Sequence, residues 1–199
     1  MAGSATFYGT TFYGGDAGGN GAVFKVFKSG GVWKEKVIYS FTGGQDGGEP
    51  KGALIRDKNG ALYGTTYAGG GTNEGVVFML SRSGGKWTET TLHFFDSSKG
   101  DGANPLAGLT WSPSGSLYGT TAYGGGCGPS GTGTVFELTQ SGGVWTEAVL
   151  HCFEGSGDGS YPQGRVTLDK DGALYGTTVF GGAANLGTVW KIKAPAQNS

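Results

Sequence analysis

Three aspartates recur in one setting. Asp46, Asp101 and Asp158 each precede a glycine and are each followed, four residues on, by Pro50, Pro105 or Pro162. Upstream of each acid stands a ring that can hydrogen-bond, Tyr39, His93 or His151. Imidazole and carboxylate are groups of acid–base chemistry and of metal binding. Two histidines in successive repeats, with Tyr39 at the same place in the first, lack the third ligand that a metal site needs. No metal and no cofactor are expected. Glu49 and Glu154 add further carboxylates. Two carboxyls about 5–10 Å apart in unlike environments would suit glycoside hydrolysis. Here the acids recur once per repeat in equivalent settings, which favours a binding or structural role, and no catalytic residue is assigned. Repeat symmetry breaks in the third unit, where Cys127, Pro129 and a longer loop are unique. A single catalytic site there stays open as an alternative.

The elements that must position these residues are repeats. Leu62-Tyr63-Gly64-Thr65-Thr66 returns as Phe7–Thr11, Leu117–Thr121 and Leu174–Thr178, with tyrosines spaced by 55, 55 and 57 residues. A fixed period of this size indicates a repeat architecture. Each unit reads as four strands. The first is Ala53–Arg56, Leu109–Trp111 or Val166–Leu168, where apolar residues alternate with a period of two. A tight turn follows, such as Asp57-Lys58-Asn59-Gly60. The Tyr-Gly-Thr-Thr stretch is the second strand, and its glycine suggests another backbone or a crowded axis close by. After a glycine-rich loop comes Val23–Val26, Val77–Leu80, Val135–Leu138 or Val189–Ile192. A Ser-Gly-Gly turn leads to a fourth strand that opens on Trp33, Trp87 or Trp145 and ends near Phe41, Phe95 or Phe153.

In a meander, alternate connections lie at opposite ends. One end then has only tight turns, and the other has every long loop. Ligand sites favour loops held by a rigid scaffold. The long-loop end collects Phe12, Tyr13, Tyr67, Tyr123 and Phe180, together with Tyr39, His93, His151, Asp46, Asp101 and Asp158. Rings that stack on sugar C–H faces, beside carboxylates that accept hydrogen bonds from hydroxyls, suit carbohydrate. The competing reading makes the rings packing residues and Asp-Gly a turn former. Cys127 and Cys152 fall at this same end of one unit, so a disulfide is within reach; otherwise Cys152 is a small buried residue. Their 25-residue spacing is no zinc or redox motif. Asp169-Lys170-Asp171-Gly172 lacks the other ligands of a calcium loop and reads as a hairpin turn.

Glycine makes up 44 of 199 residues, without the triplet register of collagen. Aromatics at 13% are too frequent for a disordered linker. With 14 basic and 15 acidic residues and no basic stripe, nucleic acid is not an expected partner. No apolar run reaches the roughly 18 residues of a membrane span, and no secretory signal opens the sequence, so any targeting segment would be missing from it.

The expectation is an all-β, β-propeller-like chain of about 3.5 four-stranded blades, 14 strands, in one repeat domain over 1–199. Its units span about 5–50, 51–105, 106–162 and 163–194, with a tail at 194–199. Two strands are left over, so a homo-oligomer, with a dimer favoured, would complete the ring; a longer array is the alternative. The combination of Leu-Tyr-Gly-Thr-Thr, Gly-Thr-Val-Phe, Ser-Gly-Gly-x-Trp-Thr-Glu and Ser-Phe-x-Gly-Gly-x-Asp-Gly resembles the Gloeo/Verruco (GloVer) tandem repeats. That resemblance implies a propeller-like extracellular or cell-surface repeat protein and no particular chemistry. The leading functional expectation is a non-catalytic binding or adhesion module for polysaccharide or glycan. A structural, self-assembling surface unit is the second reading, and a carbohydrate-active hydrolase or lyase the third.

Overall fold

A computed structural model describes residues 5–127, 131–155 and 157–194; Pro129, noted above in the third unit, lies outside them. Among the described residues, four antiparallel sheets of three or four strands follow one another along the chain, with one further two-stranded pair. The first is β1 (Thr6–Thr11), β2 (Ala22–Ser29) and β3 (Val32–Ser40). The second is β4 (Ile55–Arg56), β5 (Leu62–Thr66), β6 (Val76–Ser83) and β7 (Lys86–Phe94). A 3-10 turn, Ser97–Lys99, leads to β8 (Gly102–Ala103), β9 (Thr110–Trp111), β10 (Leu117–Thr121), β11 (Tyr123–Gly124), β12 (Thr134–Ser141) and β13 (Val144–Cys152). Of these, β9, β10, β12 and β13 form the third sheet, and β8 pairs with β11. The fourth sheet holds β14 (Ser160–Pro162), β15 (Thr167–Leu168), β16 (Ala173–Phe180) and β17 (Val189–Lys193), with β14 on the far end of β16.

The predicted meander is present in every unit. The unit-opening strands are shorter than expected, two residues each, because Leu54, Leu109 and Val166 precede the ladder while their side chains enter the cores. Among the described residues, the outer edges of β1 and β17 have no ladder partner and no sheet closes on itself.

The Tyr-Gly-Thr-Thr stretch recurs because each residue after its tyrosine has a packing duty. The sequence suggests another backbone or a crowded axis at its glycine; the neighbour there is a ring. Gly9, Gly64, Gly119 and Gly176 sit opposite Phe24, Phe78, Phe136 and Trp190 on the neighbouring strand. An added methyl would stand 2.6 Å from the Phe24 ring and 2.8 Å from the Phe78 ring. The first threonine reaches forward to the next unit: Thr10, Thr65 and Thr120 hydroxyls donate to the carbonyls of Gly52, Ala107 and Gly164 at 3.3, 2.9 and 3.3 Å. The second threonine closes its own loop. Hydroxyls of Thr66, Thr121 and Thr178 accept from the amides of Val76, Thr134 and Thr188 at 3.1, 3.1 and 2.9 Å.

The second threonine also receives the preceding unit. The glycine of each Asp-Gly pair, Gly47, Gly102 or Gly159, lies so close to Thr66, Thr121 or Thr178 that a methyl group there would overlap the threonine side chain. From that contact the chain adds as a short strand to the end of the next unit. Gly48 bridges Ala68, β8 pairs with β11, and β14 pairs with β16.

Each core lies between two consecutive sheets. One joins Val23 and Phe41 to Leu62, Val76, Phe78 and Leu80. The next joins Ile55, Tyr63, Val77 and Phe95 to Leu109, Leu117, Phe136 and Leu138. The last joins Tyr118, Val135 and Phe153 to Val166, Leu174 and Trp190. In all three, a phenylalanine from one sheet meets an aromatic of the next edge-on: Phe41–Phe78, Phe95–Phe136 and Phe153–Trp190, with centroids 5.0, 5.2 and 6.0 Å apart. Such pairs add roughly 0.5–1.5 kcal/mol beyond the burial of their area. The tight Gly30-Gly31 hairpin, with φ of 60° and 81°, shows why glycine punctuates the turns.

Gly102 is buried and its backbone is not left-handed, so Gly102→Ala tests the close approach alone. It is expected to lower the urea-unfolding free energy by about 1–3 kcal/mol through overpacking against Thr121 and Thr134. Gly71→Ala, with no atom near the added methyl, should stay within about 0.5 kcal/mol of the parent.

Candidate functional site

The rings and acids that the sequence offers separately meet in pairs. Tyr39 Oη donates to Asp46 Oδ2 at 2.8 Å. His93 Nε2 lies 2.7 Å from Asp101 Oδ2, and His151 Nε2 lies 3.1 Å from Asp158 Oδ2. A β-bulge recurs beside each ring, where the register shifts at Val23/Phe24, Val77/Phe78 and Val135/Phe136. The extra residue, Ile38, Leu92 or Leu150, packs against a core, and the ring follows it one position on. The same carboxylates accept the amides of Thr42, Asp96 and Glu154 at 2.9, 3.3 and 3.1 Å. Thr42 Oγ1 also donates to Asp46 Oδ1. Each aspartate therefore pins the loop after its strand. Hydrogen bonding to Asp46 adds to burial in pushing the Tyr39 phenol well above its ordinary value.

Two further acids come from the following sheet. Burial pushes Glu89 up to about 7; the charge of Asp46 adds to this, and the Thr91 hydroxyl opposes it. Burial likewise pushes Glu147 up to about 7, with Asp101 adding and His93 opposing. The ligand atoms of His93, Asp101 and Glu147 all lie within 4.8 Å of one another. The Trp-Thr-Glu motif stands out in the sequence, but the motif alone gives its glutamate no role. The signal was present. Trp87-Thr88-Glu89 and Trp145-Thr146-Glu147 have a sheet before them to be buried against, whereas Trp33-Lys34-Glu35 belongs to the first sheet.

At the long-loop end, rings from all four units form two runs, together called the ribbon below. Phe12 and Tyr13 touch edge-on, with centroids 4.3 Å apart. Lys51 Nζ lies 4.7 Å above the Phe12 ring and 3.9 Å above the Tyr67 ring. Tyr123 and Tyr161 stand edge-on at 4.7 Å and share a 2.5 Å hydrogen bond between their hydroxyls. Phe180 lies 6.1 Å from Tyr161. That hydrogen bond, with burial next, pushes the Tyr161 phenol up to about 12, and Tyr67 contributes to the shift. Burial first, and the charge of Tyr123 next, raise the Tyr67 phenol. Tyr13, Tyr123 and Phe180 are 70, 38 and 49% exposed.

Lys51 and Tyr161 were not among the residues expected from the sequence. Tyr161 occupies the place before proline that Glu49 and Asn104 hold in earlier units, and all three take left-handed φ, 63°, 56° and 54°. Their amides donate to Thr132, Asn20 and Glu74 carbonyls at 2.9, 2.7 and 2.7 Å. A non-glycine residue held in that conformation marks a position over-determined by its surroundings. An aromatic residue immediately before the recurrent proline was the legible sign.

The family model for the Gloeobacter/Verrucomicrobia repeat matches residues 1–199. The chain belongs to this repeat family. No curated protein matched the sequence. In this repeat protein the Cys127 and Cys152 sulfurs are bonded, with Cα atoms 5.9 Å apart, which ties the third unit's long loop to β13. The Asp169 carboxylate is engaged by its own hairpin, accepting the amides of Asp171 and Ala173 and the Tyr175 hydroxyl at 2.9, 2.8 and 2.9 Å. At the tight-turn end, a cleft of about 500 Å³ is lined by Arg56, Asp57, Tyr63, Trp111, Gln140 and Trp145, none of them a ligand residue expected from the sequence. Among the described residues, no helix is long and apolar enough to cross a membrane.

A carboxyl raised from 4.5 to about 7 on folding keeps its full stabilising effect below pH 4.5 and loses it as pH rises towards 7. Glu89→Gln is therefore expected to leave stability at pH 4 nearly unchanged and to raise it at pH 8. Partial solvent screening reduces the gain to the order of 1 kcal/mol. Urea midpoints of parent and variant at the two pH values would check this.

Proposed function

We propose that this repeat protein is a non-catalytic, extracellular binding or adhesion module that holds polysaccharide along the ribbon Tyr13–Lys51–Tyr67–Tyr123–Tyr161–Phe180. Two runs of touching residues, Tyr13–Phe12–Lys51–Tyr67 and Tyr123–Tyr161–Phe180, together draw on all four units and carry the reading. Ring faces offer apolar stacking surface to sugar C–H groups, and phenol and ammonium groups at their rims offer hydrogen bonds. One shallow contact per unit gives weak individual sites that combine along a chain of repeating sugars. The Asp–His and Asp–Tyr pairs fix the loops after the fourth strands, which lead to Lys51 and Tyr161, so their part is positional. The four sheets act as successive blades of a propeller-like array, with the long-loop end as the binding end. The Cys127–Cys152 bond supports an oxidising, extracellular setting.

Tyr123→Ala and Tyr161→Ala should each weaken retention in polysaccharide affinity gels by roughly three- to tenfold, without shifting the unfolding midpoint by more than a loop change would. Unchanged retention in both variants on every gel that slows the parent would refute the ribbon.

A second reading, self-association, is favoured by a separate observation. Among the described residues, the edges of β1 and β17 are unpaired, and Phe7 and Trp33, 59 and 48% exposed, meet at a tilt with centroids 5.8 Å apart on the first sheet. Unprotected edges with adjoining apolar rings invite a second copy. Sedimentation equilibrium should then give a dimer or larger species that the double change Phe7→Ser, Trp33→Ser returns to monomer. A parent that stays monomeric at every concentration tested would exclude this reading.

A further inference from the structure

We propose that His93, Asp101 and Glu147 form a site for one divalent transition-metal ion of the zinc class, at the junction of the second and third sheets. The sequence offered two histidines and no third donor; the structure supplies Glu147 from β13. One imidazole nitrogen and two carboxylate oxygens lie within 4.8 Å of one another, the one such group among the described residues. An imidazole with two carboxylates is a donor set that zinc-type ions accept, with a further position left to water.

Two observations favour a cation there. Glu147 Oε1 is shut off from solvent and has no hydrogen-bond partner among the described residues. A buried, unpartnered carboxylate oxygen is costly unless a positive charge meets it. The three donors also come from three separately anchored places: His93 on β7, Asp101 in the loop pinned to the Asp96 amide at 3.3 Å, and Glu147 on β13. A metal would replace the contact between His93 Nε2 and Asp101 Oδ2, 2.7 Å apart, and would tie the two sheets together.

The chain carries its own controls. At the preceding junction the phenol of Tyr39 stands in place of the imidazole and donates to Asp46, and the charge of Asp46 also acts on Glu89. At the following one, His151 and Asp158 form no such three-donor group among the described residues. The whole sequence holds two histidines, so each can be tested alone.

The test is calorimetric titration of the tag-free, metal-stripped full chain with zinc chloride, repeated with cobalt chloride read by visible absorption. The expected result is one ion per chain, at least tenfold weaker binding in His93→Ala and in Glu147→Gln, and binding as in the parent for His151→Ala. Glu147→Gln keeps the side-chain shape and removes a buried charge, so it should fold, and circular dichroism of each variant checks this. No zinc uptake by the parent, or parent-like uptake in both His93→Ala and Glu147→Gln, would overturn the proposal and leave the cluster as a loop closure of the Tyr39–Asp46 kind.

Discussion

Gly47, Gly102 and Gly159 each press against the second threonine of the next Tyr-Gly-Thr-Thr stretch, leaving no space for a methyl group. The rest of the arrangement depends on this contact. It brings the end of one unit onto the second strand of the next, where a short ladder forms. The first threonine of the same stretch reaches forward to the following unit. One pentapeptide thus holds its neighbours on both sides, and its recurrence at a nearly fixed spacing follows from that double duty. The phenylalanine-containing cores then bury the faces that these contacts bring together, and the burial of that apolar area stabilises the array.

The same constraint positions the candidate site. The chain cannot reach the glycine–threonine contact unless the loop after the fourth strand turns tightly. Asp46, Asp101 and Asp158 impose that turn by accepting a backbone amide and a ring donor together. The residue three places after each aspartate is forced into left-handed backbone. In the third unit that residue is Tyr161, and its ring completes the aromatic ribbon with Tyr123 and Phe180. The surface proposed to bind glycan is therefore a by-product of how units are joined, varied by one side chain at a time.

Much of the strand pattern was legible, for a physical reason. The Tyr-Gly-Thr-Thr and Gly-Thr-Val-Phe segments carry their own strand and turn chemistry, so β5 and β10 match the reading residue for residue. What the sequence hid was contact between units. The partner of Gly64 is a ring on the next strand, which local pattern does not reveal. The pairing of His93 with Asp101 needs the bulge at Val77/Phe78, and a bulge leaves no mark in residue type. Glu147 sits in a recognisable motif but gains meaning only when β13 is placed against the second sheet. Tyr161 and Lys51 escape notice because each departs from the repeat at one position, and averaging over repeats conceals such departures.

The most direct test of the account is amide NMR of the isotopically labelled chain, titrated with soluble glucan, mannan and xylan oligosaccharides. Binding by the ribbon predicts shift changes concentrated at the long-loop end, on Tyr13, Lys51, Tyr67, Tyr123, Tyr161 and Phe180. Changes concentrated instead around Arg56, Tyr63, Trp111 and Trp145 at the opposite end, or none with any of the sugars, would contradict it.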